Sequence, residues 1–210
     1  MAEIREWIRP EEIERRSMEI IEREMPAGQW TLEELAVVKR CIHTSADFDY
    51  ASNLYFSEGA VKKGIEALKD GAVIVTDTAM AAAGINKTAS ERLLCRVHCF
   101  MGEEDVAREA KERGVTRALV SMERAAAVKG PVIFAIGNAP TALIRLCELI
   151  QEKAVCPALV IGAPVGFVNV EESKELVCKS GEPCIVDMGR KGGSAIAAAI
   201  CNALMYQIVR

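Results

Sequence analysis

Five short runs of apolar, often β-branched residues recur from residue 72 onward, and segments of helical composition separate them. Runs of this length are typical of buried strands, and a helix between successive strands leads to parallel pairing. The pattern therefore predicts an α/β fold: a three-layer α/β/α sandwich with a mainly parallel, about five-stranded sheet and N-terminal helical additions. The predicted strands are Ala72–Thr76, Leu94–Phe100, Val132–Ile136, Ala158–Ile161 and Cys184–Val186.

The N-terminal additions are two predicted helices. The first begins at Pro10, presents Ile13, Ile20 and Ile21 on one face, and ends before Pro26. The second would run over residues 32–42 after a capping-box pattern, and residues 44–55 look too polar and irregular for a strand, so we expect a loop. The other predicted helices cover residues 57–70 (capped by Ser57), 103–113, 116–128, 139–151, 170–177 and 193–208.

Composition narrows the class of protein. Half of the 210 residues are hydrophobic, 27% are charged and the net charge is −4, so we expect one globular domain over residues 1–210. The mixed charge argues against a general nucleic-acid or anionic-membrane surface. With neither a signal peptide nor a membrane-spanning stretch in the sequence, we predict a cytoplasmic protein.

The eight cysteines contain no Cys-x-x-Cys pair, and most lie in apolar runs. We interpret them as small buried hydrophobic residues rather than a disulfide framework. Cys95, His98 and Cys99 form a metal-like cluster, but they fall on a predicted strand whose side chains alternate between faces. No metal site is therefore predicted, and we expect a structural role for His98.

Glycine-containing loops follow three of the predicted strands. In parallel sheets, ligands bind beyond the carboxyl ends of the strands, where glycines and helix N-termini present amide groups to anions. No P-loop, Gly-x-Gly-x-x-Gly or nucleophile-elbow pattern is present, which argues against an ordinary nucleotide. Arg117, Arg190 and Lys191 are plausible partners for ligand carboxylates, although isolated charges are more often solvated surface residues.

His43 is the candidate for chemistry. It would lie near the C-terminal carbonyls of the second helix, whose partial negative charge favours an imidazolium by roughly 0.3–1 kcal/mol. Asp47 and Asp49 could act in the same direction. A histidine in this setting can hold a proton near neutral pH and release it, which suits a general acid, although a lone histidine is more often structural.

Taken together, several segments resemble the precorrin-8X methylmutase (precorrin isomerase) family of cobalamin biosynthesis, in unbroken order over roughly residues 10 to 208. One departure is Asn169-Val170, where the family pattern suggests a Gly-Ala-like pair. The segments that carry the resemblance are His43–Asp47, Ala83–Lys87, Ala135–Leu143, Pro164–Val168 with Glu172–Lys174, and Gly189–Ser194.

The resemblance implies an isomerase that moves a methyl group from carbon 11 to carbon 12 of precorrin-8X or cobalt-precorrin-8, giving hydrogenobyrinate or cobyrinate. It also implies a tetrapyrrole substrate, a homodimer, no cofactor and a histidine acid at His43. A macrocycle edged with carboxylates needs an apolar slot with polar clamps at its rim. The substrate-binding candidates are Thr44, Asp47, Arg117, Asn138, Thr141, Arg190 and Lys191, with Gly166 and Gly193 acting through their backbones.

Two alternatives stay open. A corrinoid-binding carrier could use the same slot without catalysis, and it would not need His43. A nicotinamide oxidoreductase on a Rossmann-like sheet is disfavoured by the missing dinucleotide fingerprint.

Overall fold

A computed structural model describes residues 9–209 of the chain. Its centre is a six-stranded sheet with the order β1-β6-β5-β4-β2-β3. All neighbouring strands pair in parallel except β1, which runs antiparallel to β6 at one edge. The strands are β1 (Leu54–Phe56), β2 (Val73–Thr76), β3 (Arg96–His98), β4 (Val132–Ile136), β5 (Leu159–Gly162) and β6 (Cys184–Asp187).

Helices precede the sheet and connect its strands. They are α1 (Pro10–Glu24), α2 (Leu32–Ser45), α3 (Tyr50–Asn53), α4 (Ala60–Lys69), α5 (Ala79–Gly84), α6 (Lys87–Arg92), α7 (Glu104–Arg113), α8 (Arg117–Ala125), α9 (Pro140–Gln151), α10 (Val170–Lys179) and α11 (Ser194–Val209). A short 3-10 helix, Phe100–Gly102, lies between β3 and α7.

The central strands are buried on both faces because alternate side chains enter two separate cores. On one face, Ile133 and Leu159 belong to the core that includes α2, α4 and α11. On the other, Phe134 and Val160 pack with residues of α8, α9 and α10. The predicted three-layer α/β/α sandwich with a mainly parallel sheet is therefore confirmed.

The sixth strand was not predicted. Residues 44–55, expected to form a loop, contain helix α3 and the beginning of β1. Leu54 pairs with Asp187 and is buried, whereas Tyr55 is 40% exposed. A three-residue strand carries too little periodicity to be recognised locally, and its identity depends on pairing with β6.

Other boundaries differ for identifiable reasons. The predicted strand at residues 94–100 shrinks to Arg96–His98, because Leu94 has a left-handed backbone (φ 55°) and is 82% exposed. Ser57 does not cap α4: Gly59 occupies the N-cap position, and Ser57 Oγ accepts a hydrogen bond from the Cys184 amide at 2.8 Å. Helices α5 and α6, in a segment without a predicted element, begin at capping Thr78 and Asn86 side chains.

Helix α11 is the central packing element of one layer. It contacts α2, α4, α5 and the sheet, and its apolar side chains are buried on most sides. This agrees with the prediction that a helix apolar nearly all round must be buried. Within residues 9–209, no helix is long and apolar enough to cross a bilayer.

Helix α1 covers α2 less completely than its pattern indicated. Ile21 is buried, but Ile13 and Ile20 are 52% and 44% exposed. Met18 instead packs against the core. The predicted apolar face of α1 therefore remains partly open beside α2.

Removing a side chain from the α11 core tests this packing. We expect Leu204→Ala to lower the free energy of unfolding by about 2–5 kcal/mol, because Leu204 is fully buried and truncation leaves a cavity. Leu32→Ala, at a position 85% exposed, is the control and should change stability by less than about 0.5 kcal/mol. Chemical denaturation of both variants measures the difference; similar losses would contradict the burial of α11.

Candidate active site

Parallel pairing brings the carboxyl ends of β2, β4, β5 and β6 to the same side of the sheet, as predicted. Direct hydrogen bonds join loops that follow these strands. The Gly166 amide donates to the Arg190 carbonyl at 3.1 Å, and the Gly193 amide donates to the Ala163 carbonyl at 2.8 Å. The loops after β5 and β6 therefore form one unit. Because both amides are engaged, the predicted backbone contribution of Gly166 and Gly193 is not available through N–H in this arrangement.

A buried carboxylate of the protein itself binds the amides of the loop after β4. The carboxylate of Asp77, which follows β2, accepts hydrogen bonds from the Gly137, Asn138 and Ala139 amides at 2.9, 2.8 and 2.7 Å. Burial raises the pKa of Asp77, while the three amides oppose that shift. This group of amides, expected to be free for a ligand, is thus satisfied within the protein, and only the exposed Asn138 side chain is open to one.

His43 lies in the last turn of α2, which continues to Ser45 rather than ending at residue 42. The capping box predicted at the start of this helix is present, with Thr31 and Glu34 exchanging hydrogen bonds. At the other end Ala46 adopts a left-handed conformation and closes the helix. The side chain of His43 therefore stands in the last turn of α2, at the negative end of the helix dipole.

The His43 side chain is half-buried in a groove of about 250 Å³ between α1 and the end of α2. Its walls are mostly apolar, with Ile20, Ile42 and Phe48 among them, and Ser17 adds a hydroxyl group. Ligand pockets typically enclose roughly 300–1,000 Å³. This groove alone is therefore sized for the edge of a large ligand rather than for the whole of it.

The segment after His43 is tied to the loop after β6. Lys191 Nζ lies 2.6 Å from Asp47 Oδ2 and 2.6 Å from Asp49 Oδ2. The Lys191 ammonium lowers the pKa of Asp47, and the two carboxylates raise the pKa of Lys191. Thr44, also predicted for the site, is exposed, and its hydroxyl donates to the Arg40 carbonyl at 2.8 Å.

Arg190 lies in the same loop and contacts the loop after β5. Its Nε donates to Glu171 at 3.0 Å, and its guanidinium carbon lies 5.8 Å from the centre of the Phe167 ring. Phe167 is itself 85% exposed. Asn169, the departure from the family pattern, has φ 58° and ψ 16°, a left-handed conformation that asparagine tolerates almost as glycine does.

The remaining candidates gather at the start of α8 and α9. Arg117 is the exposed first residue of α8, and its neighbour Thr116 donates to the Thr141 hydroxyl at 3.1 Å. The loop that carries Asn138 approaches the start of α11, since a Cβ added to Gly137 would lie 2.6 Å from the Ser194 Cα. The structure thus brings the candidates into two groups, one around Lys191 and one around Thr141, along one edge of the sheet.

The residues of the metal-like cluster in the sequence differ in exposure: Cys95 is buried, Cys99 is intermediate, and His98, predicted to be structural, is exposed. His98 Nε2 lies 2.9 Å from Glu103 Oε1 at the surface, and no group of three potential ligands occurs within residues 9–209. Five of the eight cysteines are buried as expected, but Cys99 and Cys178 are intermediate and Cys156 is exposed.

Three buried charged residues of this region were not among the predicted site residues: Asp77, Lys174 and Asp187. Asp187 ends β6, and neither carboxylate oxygen has a hydrogen-bond partner, while Lys174 Nζ lies 4.0 Å from Oδ2. Burial raises the pKa of Asp187 to about 6, although the Lys174 ammonium opposes this shift. The only available signal was position, because both aspartates directly follow a predicted strand.

The raised pKa of Asp187 gives stability a specific dependence on pH. Stability linked to this group is present below its unfolded pKa, near 3.8, and is lost as pH rises through about 6. The difference in free energy of unfolding between Asp187→Asn and wild type should therefore shift by about 2 kcal/mol in favour of the variant as pH rises from 4 to 7. Unfolding curves of both proteins across this pH range test the prediction, and Asp70→Asn, at an exposed position, is the control. Parallel pH profiles of stability for Asp187→Asn and wild type would contradict it.

Comparison with known proteins agrees with the resemblance found in the sequence. A family model described as precorrin-8X methylmutase matches residues 12–207. A cobalt-precorrin-8 methylmutase from Priestia megaterium is 42% identical over 197 residues, covering 94% of this chain and 88% of that protein. A precorrin-8X methylmutase from Pseudomonas aeruginosa is 44% identical over 176 residues, with 82% and 83% covered.

A solved structure agrees as well. The crystal structure of precorrin-8X methyl mutase from Thermus thermophilus superposes with a TM-score of 0.85 at 36% sequence identity, covering 92% of this chain and 96% of that one. The match therefore extends over sequence, fold and nearly full length. This chain belongs to the precorrin-8X methylmutase family of isomerases.

Proposed function

We propose that this protein acts in cobalamin biosynthesis and moves the methyl group of precorrin-8X or cobalt-precorrin-8 from carbon 11 to carbon 12, with His43 as general acid. Family membership supports the reaction, and relatives are named for both forms of the substrate. The observation that carries the role of His43 is its position, half-buried in an apolar groove at the negative end of α2.

The proposed chemistry needs little from the protein beyond a proton and a fixed substrate. The bond from carbon 11 to the methyl group breaks as the bond to carbon 12 forms, in an intramolecular, 1,5-sigmatropic shift. A proton donated by His43 to a ring nitrogen or carbon makes the migration terminus more electron-poor, and the imidazole recovers the proton when the product is released. General acid catalysis of this kind contributes about 10²- to 10⁴-fold.

Holding the macrocycle rigid supplies a further share of the rate. The apolar groove of about 250 Å³ beside His43 would take one edge of the ring, and the polar groups along the sheet edge would bind its carboxylates. We propose that Arg117, Asn138, Thr141, Arg190 and Lys191 bind these carboxylates. Thr44 and Asp47 are further polar contacts of the substrate beside His43, and Gly166 and Gly193 lie in the supporting loops.

Two of the three cations of this set are paired with protein carboxylates: Arg190 with Glu171, and Lys191 with Asp47 and Asp49. These pairs are exposed, and exposed pairs contribute only about 0–1 kcal/mol. A substrate carboxylate can therefore replace Glu171 at low cost. Once Glu171 is displaced, two nitrogens of the Arg190 guanidinium can donate to the two oxygens of one substrate carboxylate, which favours a bidentate contact. The homodimer implied by the resemblance stays a prediction.

The role of His43 is tested by substitution. His43→Ala should lower kcat by at least about 100-fold while product still binds, because the proton donor is lost and the groove is kept. His98→Ala is the matched control, since this second histidine is an exposed residue of β3. The methyl shift changes conjugation, so absorbance spectra follow turnover; activity of His43→Ala near wild type would refute the assignment.

The same assay separates the enzyme from a corrinoid carrier. Purified protein should be mixed with precorrin-8X and, separately, with cobalt-precorrin-8. An enzyme changes the absorption spectrum of at least one of them. Tight binding of both without spectral change would instead support the carrier.

The role of Arg190 predicts a different kinetic signature. Arg190→Ala should raise KM about 10-fold with little change in kcat, because a charge-assisted contact to a substrate carboxylate is lost. Arg92→Ala serves as control. Arg92 ends α6 and precedes β3, so it lies towards the amino end of that strand and not among the loops that follow the carboxyl ends of the strands. An unchanged KM for Arg190→Ala would count against a binding role.

A further inference from the structure

Lys174 is a lysine with no exposed surface, in the middle of α10. Lysine is almost never fully buried unless its charge is compensated. Its ammonium donates to the Gly189 carbonyl at 2.8 Å and to the Lys191 carbonyl at 2.7 Å. Both acceptors belong to the loop between β6 and α11, which also carries Arg190.

Backbone hydrogen bonds hold this loop at the Arg190 carbonyl and the Gly193 amide, and Lys174 holds it at the Gly189 and Lys191 carbonyls. Gly189 has φ 76° and Gly192 has φ 143°, so the chain turns away from extended geometry on both sides of Arg190 and Lys191. The Arg190 carbonyl is held from outside by the Gly166 amide. Without Lys174, the Gly189 and Lys191 carbonyls would lose these buried donors.

The buried pair with Asp187 does not by itself account for Lys174. The ammonium lies 4.0 Å from Asp187 Oδ2, beyond hydrogen-bond distance, whereas both loop carbonyls lie within it. Asp187 has no hydrogen-bond partner at either oxygen. The directional contacts of Lys174 are therefore made with the loop, and Asp187 acts mainly as a nearby counter-charge.

We infer that Lys174 is a positioning residue for substrate binding: its ammonium fixes two carbonyls of the β6–α11 loop and thereby presents Arg190 and Lys191 to the carboxylates of the substrate. This inference deepens the proposed function and rests on it. Lys174 has no exposed surface in the structure, so it acts through the loop and not by direct contact. The side chains of Arg190 and Lys191 are 61% and 46% exposed, which leaves them open to a ligand.

The test must separate positioning from simple burial of a charge. Lys174→Met removes the donors but leaves Asp187 without its counter-charge, so instability alone would be ambiguous. Lys174→Met combined with Asp187→Asn removes both charges and keeps similar side-chain volumes. Asp187→Asn alone keeps the contacts of Lys174 with the loop and is the matched control.

We expect the double variant to unfold close to wild type, while its KM and its Kd for hydrogenobyrinate each rise at least about 10-fold. Its kcat at saturating substrate should stay within about threefold of wild type, because His43 is untouched. Asp187→Asn alone should change KM by less than about twofold. Hydrogen exchange of the Gly192 and Gly193 amides should accelerate only in variants that lack Lys174.

Wild-type KM and Kd in the double variant would overturn the inference. Failure of every Lys174 variant to fold, including Lys174→Gln, would assign the residue to core stability and overturn it as well. If the wild type binds neither substrate nor hydrogenobyrinate, the proposed function fails instead. Product titration needs no turnover, so these outcomes are distinguishable.

Discussion

Parallel pairing of β2, β4, β5 and β6 is the constraint from which the site follows. These strands are buried on both faces, so polar groups of the chain gather where the strands end. There the loops bond to one another and to buried charges. The candidate histidine comes from outside this set, on α2, and Lys191 connects the segment after it to the sheet edge.

Two kinds of ionic contact occur at this edge, and they differ in function. Asp77 and Lys174 are buried and hydrogen-bonded to backbone groups, so they fix loops at a cost in desolvation that only good geometry offsets. Arg190 and Lys191 form exposed pairs that a ligand can exchange cheaply. A rigid frame with replaceable surface partners is suited to binding a carboxylate-rich molecule.

The sequence predicted the layers and the helix that carries His43, because β-branched runs and a capping box are local signals. It did not predict β1, whose three residues become a strand only by pairing with β6. It also expected free amides after β4, where Asp77 fills the loop from 60 residues away. The sequence indicated no role for the Lys174 side chain, whose burial depends on its contacts with the loop after β6. Such long-range contacts leave no periodic trace.

The two outer strands of the sheet limit how the protein can associate with other molecules. Strands β1 and β3 are each three residues long, and β3 carries exposed Arg96 and His98. Three-residue strands offer few free backbone groups to a neighbouring strand, and the exposed charge of Arg96 further opposes continued β-pairing at β3. Self-association of this protein by sheet extension is therefore disfavoured, and helices and loops provide the surfaces that another molecule can meet.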